Sequence, residues 1–431
     1  MVSPDFIIAH ENDDLAELVL HRDRWPDVDV ALAAECIASR RKLRLKVPQW
    51  YADPGVICPI ALSAEQCSST ATARYKAALA AAEWNVPHTR HSARGKGQVR
   101  VPQGEPGTCI APPQASERSI QPRIADLTGG LGVDCWQFSK VAEAVLYNEM
   151  NPLLFEAAKA NLPRLGCRNV EFSNICISPD TLPGLLDSFQ PDLVFIDPAR
   201  RAGGRKVFLP EDCSPDVLAL QDIILDRGCN LMLKLSPMAD ISMLLRKFHC
   251  VKELHIVEAD GECKELLLVQ EPGFEGECTI FVGSFSFRPS QEKSAAATFI
   301  SDTPATGQLL FEPGPALMKS GAFNLLSTRF GLLKLGPSAH LYISNKPDSS
   351  LDNLGKWFRI QEVAPFNKAA LRAFAARWPD AEITSRALPL SSDELRNKMG
   401  LKGGGNVHIF GVGTSQGRLL IAASRWIPDL R

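Results

Sequence analysis

Three acidic residues stand at the ends of short apolar segments of this sequence, and glycines follow the first of them. Asp126 ends the segment R-I-A-D, and Gly129, Gly130 and Gly132 come next, ahead of a stretch with helical spacing. Glycine allows a tight turn in which backbone N–H groups approach a ligand closely. The Asp126 carboxylate can accept hydrogen bonds from a ligand amine or hydroxyl. The pattern therefore predicts a ligand-binding turn between a strand and a helix.

The second acid is Glu149, which follows the segment A-V-L-Y-N at residues 144–148. An acid at the end of the second strand of such a domain is placed to bind the hydroxyls of a ribose. The glycine spacing lacks the last glycine of G-x-G-x-x-G, so the turn does not match the dinucleotide fingerprint. The same turn also occurs in other nucleotide-binding α/β domains, and a domain of that kind stays an alternative interpretation of this segment.

The third acid is Asp197, in the segment F-I-D-P-A-R, where a proline follows it and basic residues come next. The basic residues are Arg200, Arg201 and Arg205. Beside a ligand cleft, arginines can hold a phosphate through paired hydrogen bonds. They can equally pair with nearby acids such as Glu211 and Asp212.

A lysine ends a further apolar segment, N-L-M-L-K-L. This residue is Lys234, and Ser236 follows it in K-L-S-P. A lysine removed from water can have a lowered pKa and act as a base. The alternative is a structural ion pair with Asp197, and both interpretations stay open.

These residues require a scaffold that brings strand ends together, and the spacing of the apolar segments predicts one. Residues 123–271 alternate strand-like and helix-like segments, the pattern of a parallel sheet covered by helices. The strand segments are 124–127, 144–148, 169–175, 193–196, 230–235, 251–257 and 265–270. Ligands in open α/β sheets bind at the carboxyl ends of the strands, so Asp126, Glu149, Asp197 and Lys234 are expected at one edge.

Helical segments precede this sheet, and α+β segments follow it. Residues 14–45 are predicted as helices, and another helix is predicted to begin at Ser63, which forms a capping-box pattern with Gln66. Gln66 and Lys76 on this helix either line a substrate groove or belong to a helix that packs by its alanines. After the sheet, a first α+β unit has a strand at 277–287 and a helix in 311–335, and a second begins near residue 356.

A run of basic residues at positions 40–46 precedes Trp50 and Tyr51. The run is either a solvated helical face, as most charge runs are, or a phosphate-contacting helix with aromatic side chains for stacking.

The composition is that of a globular protein of 431 residues, long enough for two to four domains. The formal net charge of −2 excludes a global basic field, so any nucleic-acid surface must be local. Twelve cysteines without C-x-x-C spacing argue against a metal site and for a reduced, cytoplasmic setting. We expect neither a signal peptide nor an apolar run of the ~18 residues that a membrane span needs.

Several segments together resemble one bacterial family, the class I S-adenosylmethionine-dependent methyltransferases that carry a C-terminal THUMP-like domain. The segments are E-Q-C-S-S-T-A-T-A-R-Y-K-A (65–77), D-L-T-G-G-L-G-V-D (126–134), D-P-A-R-R-A-G-G-R (197–205), K-L-S-P-M (234–238), E-C-K-E-L-L (262–267), E-P-G-P-A-L-M-K-S-G-A-F (312–323) and P-L-S-S-D-E-L (389–395). The resemblance implies a Rossmann-like α/β core with a mostly parallel seven-stranded sheet. It also implies an N-terminal helical domain and C-terminal α+β domains.

The resemblance also implies boundaries for these domains. They are 1–88 for the helical domain, 89–121 for a linker or insertion, 122–274 for the methyltransferase domain, 275–350 for a ferredoxin-like domain and 351–431 for the THUMP-like domain.

The cofactor that the resemblance implies is S-adenosylmethionine. The residues implied to bind it are Asp126, Thr128, Gly129, Gly130, Gly132, Asp134, Glu149, Asn174, Asp197 and Pro198. Asn174 or Cys176 stands near the place where the superfamily often has an acid for the adenine amino group. Adenine recognition therefore stays open between Asn174 and the backbone.

The resemblance points to RNA as a partner, because THUMP domains bind RNA in several tRNA-modifying enzymes. The expected catalytic residues are Asp197, Lys234 and Arg200, and the expected substrate-binding residues are Arg200, Arg201, Arg205, Ser236, Gln66 and Lys76. Arg200 at the fourth position of D-P-A-R argues against an exocyclic base amine as the methylated group. The lack of a cysteine in K-L-S-P argues against a covalent mechanism of the uracil C5 type.

The first functional hypothesis is a methyltransferase that acts on tRNA or rRNA. The alternatives are a catalytically silent module that binds RNA or a nucleotide, and a methyltransferase that acts on a protein or a small molecule. The sequence leaves the methylated atom and the oligomeric state open.

Overall fold

The computed structural model describes residues 2–84, 121–200 and 210–427. The predicted linker at 89–121 lies outside the described residues apart from its last position, and so do Arg201 and Arg205. The chain forms two compact units, residues 1–201 with 213–231 and residues 202–212 with 232–431.

The first unit opens with helices packed around one long helix. They are α1 (Pro4–Ala9), α2 (Leu15–Leu20), α3 (Val30–Lys46), α4 (Pro48–Ala52), α5 (Ala61–Gln66) and α6 (Thr70–Trp84), with a 3₁₀ turn at Arg22–Arg24. The Asp29 side chain caps α3 by accepting a hydrogen bond from the Leu32 N–H. Ile7, Leu18 and Ile37 belong to the apolar core that α1, α2 and α3 share.

The single helix predicted to begin at Ser63 is two helices in the structure. Ser63 lies inside α5, and the chain leaves the helical conformation at Cys67, where ψ is 157°. Ser69 marks the new start, because its Oγ accepts from the Thr72 N–H at 3.2 Å, ahead of α6. The capping-box prediction was therefore wrong, because a second serine begins the helix that carries Lys76.

A parallel sheet follows in the same unit. Its strands are β1 (Arg123–Asp126), β2 (Ala144–Asn148), β3 (Val170–Ser173) and β4 (Leu193–Ile196), and its helices are α7 (Val133–Phe138), α8 (Pro152–Arg164), α9 (Leu182–Phe189) and α10 (Val217–Leu225). A separate pair of short strands consists of β5 (Ala199–Arg200) and β6 (Cys213–Ser214), after a 3₁₀ turn at Pro210–Asp212. The sheet order is β4-β1-β2-β3, with parallel neighbours. All four residues of β4 are buried, as in strands covered on both faces.

The next strand, β7 (Asn230–Leu235), has residues in both units. The second unit continues with α11 (Ile241–Lys247), β8 (Val251–Ala259), β9 (Glu262–Gln270), β10 (Thr279–Val282) and β11 (Phe285–Phe287). Within the described residues the first sheet has nine strands, in the order β11-β10-β8-β9-β7-β4-β1-β2-β3.

The seven predicted strands are all present in this sheet, and β10 and β11 are additional. Asp260 and Gly261, both with positive φ, make the turn between β8 and β9. The expected domain boundary at 275 precedes two strands of this sheet, because β10 pairs in parallel with β8 and β11 pairs with β10.

The second unit ends in another sheet with helices. Its elements are α12 (Pro289–Ser294), β12 (Leu309–Pro313), α13 (Pro315–Ser320), α14 (Leu325–Phe330), β13 (Leu333–Lys334), β14 (Tyr342–Ser344), β15 (Gly355–Pro365), α15 (Lys368–Arg377), β16 (Glu382–Arg386), α16 (Ser392–Met399), β17 (Val407–Thr414) and β18 (Gly417–Arg425), with a 3₁₀ turn at Ser349–Leu351. The strand order is β13-β14-β12-β15-β18-β17-β16, so the two predicted α+β units share one sheet. The predicted helix in 311–335 is preceded by strand β12 and divided into α13 and α14.

This second sheet is strongly curved. Leu310, Phe358 and Phe410, from β12, β15 and β17, share one apolar core. The Arg386 guanidinium at the end of β16 lies 3.0 Å from the Glu312 carboxylate of β12, although three strands separate β12 from β16 in the sheet. Because neighbouring strands are about 4.8 Å apart, this contact requires the sheet to bend its two sides toward each other.

Candidate functional site

The turn between β1 and α7 has a backbone that only glycine accommodates easily. Gly130 and Gly132 have φ values of +54° and +90°, in the left-handed region. A Cβ atom on Gly129 would lie 2.1 Å from the ring of Tyr147. The Tyr147 hydroxyl in turn donates a hydrogen bond to the Gly130 carbonyl at 2.5 Å. Tyr147 therefore packs against the turn and stabilises the tight conformation that the glycine pattern predicted.

Asp126 lies fully buried beneath this turn. Its Oδ1 accepts a hydrogen bond from the Thr128 N–H at 3.3 Å. Its Oδ2 is buried and has no hydrogen-bond partner among the described residues. Burial, followed by the nearby Asp134 charge, raises the pKa of Asp126 well above its ordinary value. Such a buried acceptor fits a ligand ammonium group, which supplies both a donor and a positive charge.

Glu149 faces the same turn from the end of β2. Its Oε2 accepts from the Gly130 N–H at 2.9 Å, and its Oε1 accepts from the Asn151 N–H at 2.8 Å. Asn174, which is exposed, donates to the Glu149 carbonyl from the end of β3. The structure thus brings together Glu149, Asn174 and the glycine turn, as the sequence predicted, at the carboxyl ends of three neighbouring strands.

Asn148 is a residue of this region that the sequence analysis missed. Its buried side-chain amide donates to the carbonyls of Leu127 and Ile175 at 3.0 and 3.1 Å, and its Oδ1 accepts from the Ile175 N–H at 3.1 Å. The amide therefore connects the segments that follow β1 and β3. A polar residue at the end of an apolar strand, directly before Glu149, was the available signal.

Asp197 is attached to the glycine turn through its backbone. The Asp197 N–H donates to Thr128 Oγ1 at 2.7 Å, and both Asp197 and Pro198 are half-buried. Ala199 and Arg200 then pair with Ser214 and Cys213 in the β5–β6 ribbon. The side chains of Arg200, Arg201 and Arg205 lie outside the described part of the structure, so their predicted roles stay predictions.

Lys76 is placed differently from the prediction. Its side chain is fully buried, and its Nζ lies 3.1 Å from Asp134 Oδ1 and 2.9 Å from Ser68 Oγ. Ser68 Oγ donates to Asp134 Oδ2 at 2.7 Å, which closes the network. The buried position of Lys76 contradicts the predicted direct contact with a substrate. The lysine instead holds Asp134, in the first turn of α7. Gln66 is exposed at the end of α5, and its predicted role stays a prediction.

Three residues of the basic run at 40–46 stabilise the helical region. Arg40 pairs with Glu11 at 3.2 Å, and Arg41 donates to the Glu11 carbonyl at 2.7 Å. Lys42 contacts the Glu65 carboxylate at 2.5 Å. These contacts fix the residues before α2 and the helix α5 to α3, and the phosphate-contacting interpretation of this run stays a prediction.

Two predicted site residues belong to the second unit. Lys234 is half-buried near the end of β7, and Ser236 follows the strand with its Oγ accepting from the Met238 N–H at 3.2 Å. Their catalytic and substrate-binding roles stay predictions. In the described ranges, no group of three His, Cys, Asp or Glu side chains is arranged to hold a metal ion.

Comparisons with known proteins show what this arrangement is similar to. Residues 309–351 match a ferredoxin-like domain, and residues 355–425 match a family described as THUMP domain-like. A crystal structure from Porphyromonas gingivalis W83, of a protein proposed to be a methyltransferase, is similar with a TM-score of 0.79 and 27% identity, over 99% of this chain and 100% of that one. Two uncharacterized S-adenosylmethionine-dependent methyltransferases of Mycobacterium tuberculosis, strains CDC 1551 / Oshkosh and ATCC 25618 / H37Rv, are each 24% identical over 282 residues, 65% of this chain and 74% of the relative. The chain is an S-adenosylmethionine-dependent methyltransferase.

The methyltransferase has the fold class that the sequence predicted, an α/β core followed by the ferredoxin-like and THUMP-like parts in that order. The cofactor that the sequence predicted, S-adenosylmethionine, is the one for which the two mycobacterial relatives are named. Among the helices of the described residues, none has the length and apolar character required to cross a membrane.

Proposed function

We propose that this methyltransferase acts on RNA, either tRNA or rRNA. The observation that carries the proposal is the THUMP domain-like segment at 355–425 in the same chain as a methyltransferase core. That segment contains 11 basic and 5 acidic residues, a formal charge of +6, whereas the whole chain carries −2. A local positive charge of this kind suits phosphate contacts, which supply most of the affinity of proteins for nucleic acid.

The cofactor-binding part of the proposal assigns roles to residues of the first unit. Asp126 would accept from the cofactor ammonium, because its Oδ2 is buried and lacks a donor among the described residues. Glu149 would accept from the ribose hydroxyls, and its carboxylate is already oriented by the N–H groups of Gly130 and Asn151. Bound S-adenosylmethionine supplies an electrophilic methyl group to the acceptor.

The acceptor part of the proposal centres on Asp197. Its backbone is held by Thr128, so the carboxylate follows a fixed segment and can orient an acceptor or remove its proton. Pro198 fixes the next φ angle and stiffens the loop. Arg200, Arg201 and Arg205 would hold a substrate phosphate. Lys234 would set the local charge and Ser236 would contact the substrate, while adenine recognition would fall to Asn174 or to the backbone around it.

Nucleoside mass spectrometry tests this proposal. Total RNA from cells with and without the gene should differ in one methylated nucleoside, and purified enzyme should restore it with deuterated methyl groups from S-adenosylmethionine. Protein and small-molecule fractions, treated in parallel, serve as the alternative substrates. Label in either of those fractions, with unchanged RNA nucleosides, would overturn the RNA assignment and leave the methyltransferase assignment intact.

The proposal includes a cytoplasmic location. All eleven cysteines that the structure describes are free thiols, which suits a reducing compartment.

A further inference from the structure

A lysine in the second unit is buried, and no described residue forms a direct ion pair or hydrogen bond with its ammonium group. Lys334, in β13, is 4% exposed, and its backbone bonds to Thr298 and Ile300. Its ammonium group lies 5.7 Å from the centroid of the Phe323 ring. It donates no hydrogen bond and forms no ion pair with any residue that the structure describes, and burial lowers its pKa. A charged group in this position is costly unless something supplies an acceptor.

A histidine that also lacks a hydrogen-bond partner packs against the same Phe323 ring. The His340 ring lies 3.8 Å from Phe323, centroid to centroid, at an angle of 35°. His340 Nδ1 is buried and has no hydrogen-bond partner among the described residues. His340 has a φ of +49°, so its backbone is held in a conformation that most residues avoid. Burial, then the charges of Lys334 and Arg386, lower the pKa of this imidazole, so two cations lie close to it.

The third member of the group is Arg386. Its Nη2 donates to Glu312 at 3.0 Å, but its Nε is buried and has no hydrogen-bond partner among the described residues. The Arg386 guanidinium group therefore has at least one N–H donor that is not paired by a described residue. Lys334, His340 and Arg386 belong to three different segments around the second sheet, and each presents a nitrogen that no described residue pairs.

Two carboxylates lie near this group, and both are already engaged. Glu292 accepts from the N–H groups of Asn324 and Leu325 at 2.8 and 2.9 Å, one with each oxygen. Glu312 accepts from Arg386. Neither carboxylate forms an ion pair with Lys334. The described residues thus supply an excess of donors over acceptors at this place in the fold.

We propose that Lys334, His340 and Arg386 form a phosphate-binding site in the second sheet. A phosphate group presents at least three strong acceptor oxygens, which matches three donors that approach from different segments. A carboxylate has only two oxygens in one plane and matches this set less well. The site lies apart from the predicted methyl-transfer residues in sequence, and the proposal does not depend on RNA being the substrate.

Binding to the full-length protein tests the site, with inorganic phosphate as the first probe in a buffer free of other oxyanions. Calorimetry should show saturable binding that Lys334→Met weakens roughly tenfold to a hundredfold, because a charge-assisted hydrogen bond is removed. Lys334→Met should melt at the same or a higher temperature without phosphate, because it removes a desolvated charge while keeping the side-chain volume. Lys346→Met, at an exposed lysine of the same unit, is the matched control and should change neither quantity.

The source of the phosphate is distinguished with RNA oligonucleotides that carry a 5′-phosphate or a 5′-hydroxyl. Tighter binding of the phosphorylated form, abolished in Lys334→Met, identifies the end of an RNA chain. Binding of inorganic phosphate without this difference identifies free phosphate. His340→Asn is a second variant, because asparagine tolerates a positive φ, and it should also weaken binding. Wild-type affinity in both variants, or a lysine variant that only loses thermal stability, would overturn the proposal.

Discussion

Lys76 Nζ lies 3.1 Å from Asp134 Oδ1, and the lysine side chain is fully buried. The two residues are 58 positions apart in the sequence, one in a helix before the sheet and the other at the start of the helix after the glycine turn. Ser68 donates to Asp134 and accepts from Lys76, so each member of the group contacts the other two. The N-terminal helices therefore contribute a positive charge to the start of the helix that follows the glycine turn.

The first prediction concerns this pair. Lys76→Met should destabilise folding by about 3–5 kcal/mol, because it leaves the Asp134 carboxylate without its buried partner. Chemical denaturation measures the change in the free energy of unfolding. Lys42→Met, which removes the exposed partner of Glu65, should cost less than about 1 kcal/mol and is the matched control. If the free energy of unfolding falls by the same small amount in both variants, the buried pair does not stabilise the fold.

Cofactor affinity gives the second prediction. Asp126→Ala and Glu149→Ala should each weaken S-adenosylmethionine binding by roughly tenfold or more, because each removes a hydrogen-bond acceptor for a polar end of the cofactor. Isothermal calorimetry on the purified enzyme measures this. Unchanged affinity in both variants would contradict the assignment of these two acids.

The third prediction is a pH dependence that follows from Asp126. Its folded-state pKa is raised, so the native protein holds a proton that the unfolded chain releases above about pH 4. The stability contribution of this protonated acid is fully present below the unfolded pKa and is lost as the pH rises through the folded pKa. Asp126→Asn should therefore flatten the decline of melting temperature with rising pH. Asp180→Asn, at an exposed acid, should follow the wild-type curve.

Turnover gives the fourth prediction. Asp197→Ala should keep cofactor affinity and lose at least about a hundredfold in methyl transfer, the usual range for a group that moves a proton. Single-turnover assays on the identified substrate measure this effect. Thr128→Val removes the acceptor for the Asp197 N–H and should give a smaller loss, because the loop is loosened while the carboxylate remains. Full activity in Asp197→Ala would show that the acceptor lies elsewhere.

The fifth prediction concerns RNA binding by the THUMP-like segment. Deleting residues 361–431 is unsuitable as a test, because strands β15, β17 and β18 share a core with β12 and β14. Charge reversal of the exposed residues Lys368 and Arg372 avoids that problem. The double variant should weaken RNA binding and reduce its salt slope by about one for each phosphate that the protein no longer neutralises. Cofactor affinity should stay constant, and equal losses of both affinities would indicate a structural defect.

The sequence predicted the central strands accurately because their burial is continuous. Leu193–Ile196 and Asn230–Leu235 agree residue by residue with the apolar runs that marked them. The glycine turn and Glu149 could also be predicted, since they depend on local spacing after a strand.

What the sequence could not predict depends on contacts between distant segments. The burial of Lys76 requires a partner 58 residues away, and a lysine on an alanine-rich helix is equally consistent with an exposed groove. The place of β10 beside β8 follows from sheet pairing, which residues 279–282 do not reveal by themselves. Strand β12 was missed because a helix-like segment follows it directly.

The contact between Arg386 and Glu312 has a consequence for how this half of the protein was assembled. One family match ends at residue 351 and the other begins at 355, but the ion pair and the shared apolar core cross that junction. Each part alone would leave half of that core facing water. The two are therefore one cooperative folding unit, and gene rearrangements that separate them should yield insoluble fragments. A rearrangement that keeps this core intact would have to move the two matched segments together.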